Sequence, residues 1–185
     1  LPRTMRIISE VKSCLDAGRK ILLLSDRRDH LKILFEIISQ FEQYTCGYYL
    51  GGMKEKDLQE TEKKNVILGT FSMASEGFDC RYPLDTIILA SPKSNIEQAV
   101  GRILRQEAKD RKFVPLVIDI HDNFSLFAKQ TVKRINFYKK IAPKNTINWL
   151  GISSSLEDLN HAKLSEVDVL KYLHVRDSNG NFYVG

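Results

Sequence analysis

Two kinds of apolar pattern alternate along the chain. Continuous apolar runs bounded by polar residues recur at residues 20–25 (KILLLS), 45–50, 65–70 (NVILGT), 84–90 and 113–120 (KFVPLVIDI from Lys112). Unbroken apolarity is what a strand covered on both faces requires, so each run predicts a buried parallel strand. Between the runs, apolar residues fall at helical spacing. Met5, Ile8, Val11 and Leu15 form a stripe over 4–17, with Thr4 as a candidate cap and Gly18 as a stop. Leu31, Leu34, Ile37, Ile38 and Phe41 do the same over 27–42, and Phe124, Phe127, Val132, Ile135 and Tyr138 over 122–141. Residues 53–64 are nearly all charged or polar, with Leu58 the one large apolar residue after Met53, and predict a short exposed helix. FSMASEGFD, after the third run, predicts a small-residue turn. Pro115 marks the fifth strand as an edge or as starting late.

Strands alternating with helices predict an α/β domain with a mostly parallel central sheet flanked by helices. Beyond Pro143 the pattern weakens. WLGISSSLEDL reads as a loop leading to a short helix, 164–173 as another helix, and Asn179-Gly180 as the turn of a hairpin. The expected division is therefore a domain over 1–142 and a C-terminal extension over 143–185 to which no role is assigned. There is no internal repeat and no low-complexity segment.

Composition narrows the class. The 185 residues suit one domain with a small appendage, and 43% hydrophobic residues can build a sizeable core. A net charge of +5 makes a polyanionic partner plausible. Cys14, Cys46 and Cys80 are odd in number and far apart, which argues against zinc and against a disulfide framework. Reduced thiols and an intracellular setting are the expectation. No apolar run approaches the roughly 18 residues of a membrane helix, and LPRTMRIISE lacks the apolar core of a signal peptide. A chain that starts with Leu is expected to be part of a longer protein.

The stretch richest in candidate chemistry is 94–106, SNIEQAVGRILRQ. As a helix it stacks Gln98, Gly101, Arg102 and Arg105 at steps of three and four, leaving Ile96, Val100, Ile103 and Leu104 for a core. Two guanidiniums one turn apart are poor core material but suit a phosphate, because each is a rigid, permanently charged donor fork. Gly101 costs the helix up to about 1 kcal/mol relative to Ala, which makes sense if something approaches the backbone closely. A solvated basic face is the plain alternative. A second signal lies at the carboxyl end of the third strand, where open α/β sheets bind ligands. There Thr70 precedes Glu76-Gly77-Phe78-Asp79, in which Gly77 permits a sharp turn and Asp79 can accept from a ribose or an arginine, or simply cap a helix.

Other phosphate motifs fail. Gly47 and Gly52 stand at P-loop spacing, but Met53 occupies the lysine position and no Ser or Thr follows Lys54. No GxGxxG is present, so a complete triphosphate site needs another lobe. Residues 129–144 carry Lys129, Lys133, Arg134, Lys139, Lys140 and Lys144 with no acid, a stripe suited to a phosphodiester backbone or to solvent. Phe137 and Tyr138 there suit core packing or base stacking. His30, His121, His161 and His174 show no ligand spacing.

In combination and in order, ILLLSDRRDHL, GGM, GTFSMASEGFD and QAVGRILRQ resemble the second, C-terminal RecA-like lobe of superfamily 2 helicases, over about residues 1–140. QxxGRxxR is the specific element; the others gain weight from their order. The run PLVIDIHDNFSLFAKQTVKRINFYKK is similar to the strand and helix that close this lobe in helicases of large DNA viruses and some phages, the poxvirus transcript-release type being the nearest comparison. The resemblance implies a RecA-like helicase C-terminal domain working with ATP and Mg²⁺ bound jointly with a missing N-terminal lobe, on DNA or RNA, with no membrane involved. It implies nucleus, cytoplasm or viral replication site without choosing among them. It implies that Arg105 is an arginine finger on the γ-phosphate, supported by Arg102, with Gln98 near the attacking water. Asp79 and Gly77 would shape the nucleotide-side turn. Ser25, Asp26, Thr70 and the Gly51-Gly52 backbone would meet a nucleic-acid strand. The Walker lysine and acidic pair of the partner lobe are absent here, so this chain alone is not expected to hydrolyse ATP. Two other classes stay open at this point: an inactive RecA-like adaptor for nucleic acid or protein, and a small-molecule enzyme on a doubly wound fold, the latter lacking any glycine fingerprint or nucleophile–base pair.

Overall fold

In the computed structural model, residues 2–76, 78, 81–104, 112–120, 125–141, 174–176 and 182–184 are described. They fall into two compact units, Leu1–Ile135 and Asn136–Gly185. The first is built as α1 (Pro2–Asp16), β1 (Ile21–Leu24), α2 (Arg28–Ile38), β2 (Cys46–Tyr49), α3 (Glu55–Glu62), β3 (Val66–Gly69), α4 (Phe71–Glu76), β4 (Thr86–Leu89), α5 (Glu97–Leu104) and β5 (Leu116–Asp119), with α6 (Ser125–Ile141) starting in it. The second holds an antiparallel pair, β6 (His174–Arg176) and β7 (Phe182–Val184), so the hairpin expected around Asn179-Gly180 has both its strands.

The sheet runs β2-β3-β1-β4-β5 and every pair is parallel. Its central strands are buried at every position, which is why they read as unbroken apolar runs. Side chains alternate between faces. Ile21, Leu23, Val66, Leu68 and Ile88 join Ile7, Val11 and Leu15 of α1 and Leu31, Leu34 and Ile38 of α2 in one core. Each such side chain contributes about 1.5–3 kcal/mol by leaving water. Beyond that cluster, Phe71, Phe78, Ile96, Ala99 and Val100 are buried as well. β5 lies at the edge and is only half-buried, in line with Pro115 just before it.

Four details depart from the sequence reading. Met5 is 60% exposed and Ile7 is fully buried, and α1 begins at Pro2. Thr4 therefore lies inside the helix, its hydroxyl 3.4 Å from His30 Nε2, rather than capping it. The segment FSMASE is helical, not a turn. Thr70 starts this helix, its carbonyl accepting from the Ala74 N–H at 3.1 Å and its hydroxyl lying 3.4 Å from the Met73 N–H. On α6, Phe127 and Val132 are exposed, whereas Arg134 is buried at 1% exposure. Arg134 therefore leaves the proposed basic stripe.

Candidate functional site

All five strands being parallel, their carboxyl ends open on one edge. The register makes the alignment close: Leu24 pairs with both Gly69 and Leu89, and Tyr49 pairs with Gly69. The residues that follow, Leu50-Gly51-Gly52, Ser25-Asp26, Thr70 and Ala90-Ser91, thus lie along a single line. Five sequence-predicted residues meet there: Ser25, Asp26, Gly51, Gly52 and Thr70.

Their local structures differ. Gly52 has φ +87°, a left-handed backbone that side chains resist, and both glycines are exposed. Gly51 approaches α4, where an added Cβ would lie 3.7 Å from Met73 Sδ. Thr70 is half-buried and its hydroxyl also lies 3.1 Å from Ser72 Oγ. Ser25 is wholly buried. Its N–H donates to Gly69 O at 3.1 Å, and its hydroxyl accepts from the Arg27 N–H at 3.2 Å. Its hydroxyl thus faces inward and shapes the turn from inside.

Asp26 is anchored by its backbone N–H, which donates to Ser91 Oγ at 2.9 Å. Its carboxylate is exposed and accepts from Lys93 Nζ at 2.9 Å. Lys93 also stands 5.5 Å from the ring centre of Phe71, the residue after Thr70. Lys93 had no role in the sequence reading. The backbone carbonyl of Lys93 is in turn held by Arg134 Nη1 at 2.8 Å. The same guanidinium donates through Nε to Asp119 Oδ2 at 2.7 Å and through Nη2 to Thr131 Oγ1 at 3.1 Å. Arg134 and Asp119 are 1% and 6% exposed. This buried ion pair joins β5, α6 and the loop that leads into α5. A charged Asp119 inside an apolar strand was the available signal, since a buried carboxylate requires a partner.

α5 carries the most specific motif. Ile96, Ala99 and Val100 are buried, and Gln98 is exposed. An added Cβ on Gly101 would meet no described atom within 4 Å, so space is open at that point of the helix. Arg102 belongs to α5 but only its backbone is described. Arg105, Gly77 and Asp79 lie outside the described residues. Phe78, between Gly77 and Asp79, is 1% exposed and packs edge-on against Tyr49, ring centres 4.7 Å apart. Arg81, beyond the acidic turn, donates its N–H to the buried Glu62 at 3.3 Å. Among titratable groups near this edge, His30 is held below the usual histidine range by burial first, then by the charges of Arg3 and Arg27. Among the described residues there is no cluster of three or more metal-ligating side chains.

No protein-family model matches the chain. Two viral proteins named "putative ATP-dependent RNA helicase" do resemble it. One, from Acanthamoeba polyphaga mimivirus, is 39% identical over 158 residues, 84% of this chain and 30% of the relative. Another, from African swine fever virus, is 36% identical over 127 residues, 65% of this chain and 24% of the relative. The chain therefore spans less than a third of the length of either. The crystal structure of the C-terminal part of the Fun30 ATPase domain superposes with a TM-score of 0.56 at 16% identity, over 83% of this chain and 47% of that one. The five-stranded parallel sheet with its flanking helices matches the fold of RecA-like helicase domains. The chain's sequence relatives include helicase-named proteins of viruses, mimivirus and African swine fever virus among them.

Proposed function

We propose that the chain is the C-terminal motor lobe of an ATP-dependent nucleic-acid helicase or translocase. It would supply the arginine finger and part of the strand path, with ATP bound in a cleft shared with an N-terminal RecA-like lobe. The observation that carries this reading is the placement of α5, with its Gln98-Ala99-Val100-Gly101-Arg102 segment, directly after the strand edge that holds Gly51, Gly52 and Thr70. Kinship to proteins named as ATP-dependent RNA helicases supports it.

Two features support an ATP phosphate beside α5. Gln98 is exposed and Gly101 leaves open space beside the helix. Mg²⁺ would come with ATP, its protein ligands on the other lobe. Bound ATP supplies the phosphoanhydride whose cleavage drives the cycle. On closure of the cleft, Arg105 and Arg102 would neutralise charge on the departing phosphoryl group, a role worth on the order of 10³–10⁵ in kcat. Gln98 would orient the attacking water. Asp79 would accept from the nucleotide ribose or from Arg102 and Arg105. Thr70 and the Gly51-Gly52 backbone would grip phosphates of the strand without reading bases.

The test is ATP turnover by a protein carrying this lobe together with its partner lobe, with and without single-stranded RNA or DNA. Stimulated turnover is expected, and Arg105→Ala should lower it by about a thousand-fold or more while nucleotide binding persists. An Arg105→Ala protein that turns over normally overturns the finger assignment.

A further inference from the structure

Lys93 lies at the carboxyl edge of the sheet with its backbone and its side chain held in different ways. Its carbonyl is fixed by the buried Arg134. Its side chain is 37% exposed and, among the described residues, its ammonium is held only by the Asp26 carboxylate, itself on a side chain 44% exposed, and by the Phe71 ring. That ring, beneath the ammonium, belongs to the residue after Thr70. Arg27 and Arg28, which follow Asp26, are exposed, and their side chains form no hydrogen bond or ion pair among the described residues. They stand at the start of α2, where the helix dipole disfavours cations, so helix stability does not account for them. Asp29 is partnered by Lys32 at 3.5 Å. The surface around the pair is therefore net positive: Arg27, Arg28 and Lys93 outnumber Asp26, while Asp29 and Lys32 cancel.

A phosphodiester group carries negative charge and no donor. It has nothing to offer a carboxylate and much to offer an ammonium. From this geometry we infer that Lys93 is a phosphate contact on the nucleic-acid path, and that Asp26 is its counter-ion in the free lobe rather than a contact itself. The inference rests on the helicase-lobe reading and reassigns one residue within it. An exposed ion pair is weak, because water solvates both partners and the side chains must be ordered to meet. Exchange of one anion for another is therefore cheap. When a strand arrives, its phosphate replaces the Asp26 carboxylate on Lys93 Nζ and the carboxylate returns to water. Arg134 keeps the Lys93 backbone in place throughout, so only the side chain has to move. Asp26 thus acts as an internal competitor that lowers affinity for any polyanion.

The competitor role makes the two partners behave in opposite directions, which a purely structural ion pair would not. Binding of fluorescein-labelled oligouridine and oligothymidine to the 185-residue chain is measured by anisotropy at several salt concentrations. Urea midpoints are recorded for each variant to show that the fold is intact. Lys93→Gln should weaken binding and make the slope of log affinity against log salt shallower by about 0.7, one phosphate contact on a single strand. Lys93→Arg should restore both. Asp26→Asn should tighten binding by about two- to five-fold at low salt, the range set by a surface pair. If Asp26→Asn weakens RNA but not DNA, Asp26 is accepting from a 2′-hydroxyl and the counter-ion role is overturned. If the wild type binds and neither variant moves, the inference fails while the helicase-lobe reading stands. If the wild type binds neither polymer even at low salt, the strand path itself is overturned, and the inference with it.

Discussion

Replacing Arg134 by Met tests the most demanding interaction in the first unit. Methionine keeps much of the length and all of the apolar stem but removes three donors. In the native molecule those donors serve Asp119 at 2.7 Å, Lys93 O at 2.8 Å and Thr131 Oγ1 at 3.1 Å. Arg134 is 1% exposed, so water cannot replace what is lost without opening the structure. Removing one partner of a buried pair costs about 3–5 kcal/mol, because the other charge stays behind in a poor solvent. For a chain of this size each kcal/mol corresponds to about 2–4 °C, so the melting temperature should fall by roughly 6–20 °C. Urea unfolding followed by far-UV circular dichroism gives the free energy directly, with an unchanged m-value confirming that the same surface unfolds. The double variant Arg134→Met/Asp119→Leu removes both charges and should recover part of the loss. Lys93 O and the Thr131 hydroxyl still lack the arginine's donors, which leaves a deficit of about 1–3 kcal/mol. The reasoning is refuted if Arg134→Met costs less than about 1 kcal/mol, or if the double variant is no more stable than the single one.

Two further outcomes follow from the same edge. Gly52→Ala should cost about 1–2 kcal/mol in urea unfolding, since no described atom obstructs the new methyl and only the left-handed backbone at φ +87° resists it; a neutral result would mean that the turn relaxes freely. His30 is held below its unfolded range by burial and by Arg3 and Arg27, so the fold favours its neutral form. Its stabilising contribution is complete above the unfolded histidine pKa and is lost as pH falls through the lower folded value. Stability of His30→Gln should therefore decline less between about pH 7 and 5 than that of the wild type, and parallel curves would exclude the effect.

The apolar frame was legible because it is written in a simple code. Unbroken runs such as ILLL and VILG demand cover on both faces, and all five predicted strands are present in the parallel sheet. Errors came where polarity misleads. Arg134 looked like one more cation on a basic helix, yet it falls three residues after Thr131 and four before Tyr138, on one helical face, and opposite an aspartate buried in β5. The segment after Thr70 looked like a turn because its residues are small, but Ser, Met and Ala tolerate helix well and Thr70 supplies a start. Lys93 had no motif around it at all; its significance depends on Asp26, 67 residues away in sequence.

The order of the strands is the deeper limit, and it decides the site. β1, β3 and β4 are similar four-residue apolar segments, and apolar contact is too unspecific to choose which lies beside which. Polar groups at the amino ends add directional links between particular neighbours. Asn65 Oδ1 accepts from the Thr45 N–H and hydroxyl, both at 2.9 Å, which joins the entry of β2 to that of β3. Asp85 accepts from the Lys20 N–H at 3.1 Å and pairs with Arg19 at 3.4 Å, which joins the entry of β1 to that of β4. Val114 O accepts from the same arginine at 3.0 Å, bringing in the approach to β5. Directional hydrogen bonds discriminate where apolar burial does not, because a misplaced neighbour would leave these groups without partners. Stapled in phase at one end, strands of equal length end in phase at the other. That is how Gly52, Thr70, Asp26 and Lys93, drawn from four separate loops, come to share one edge, and why none of the four loops alone announces it.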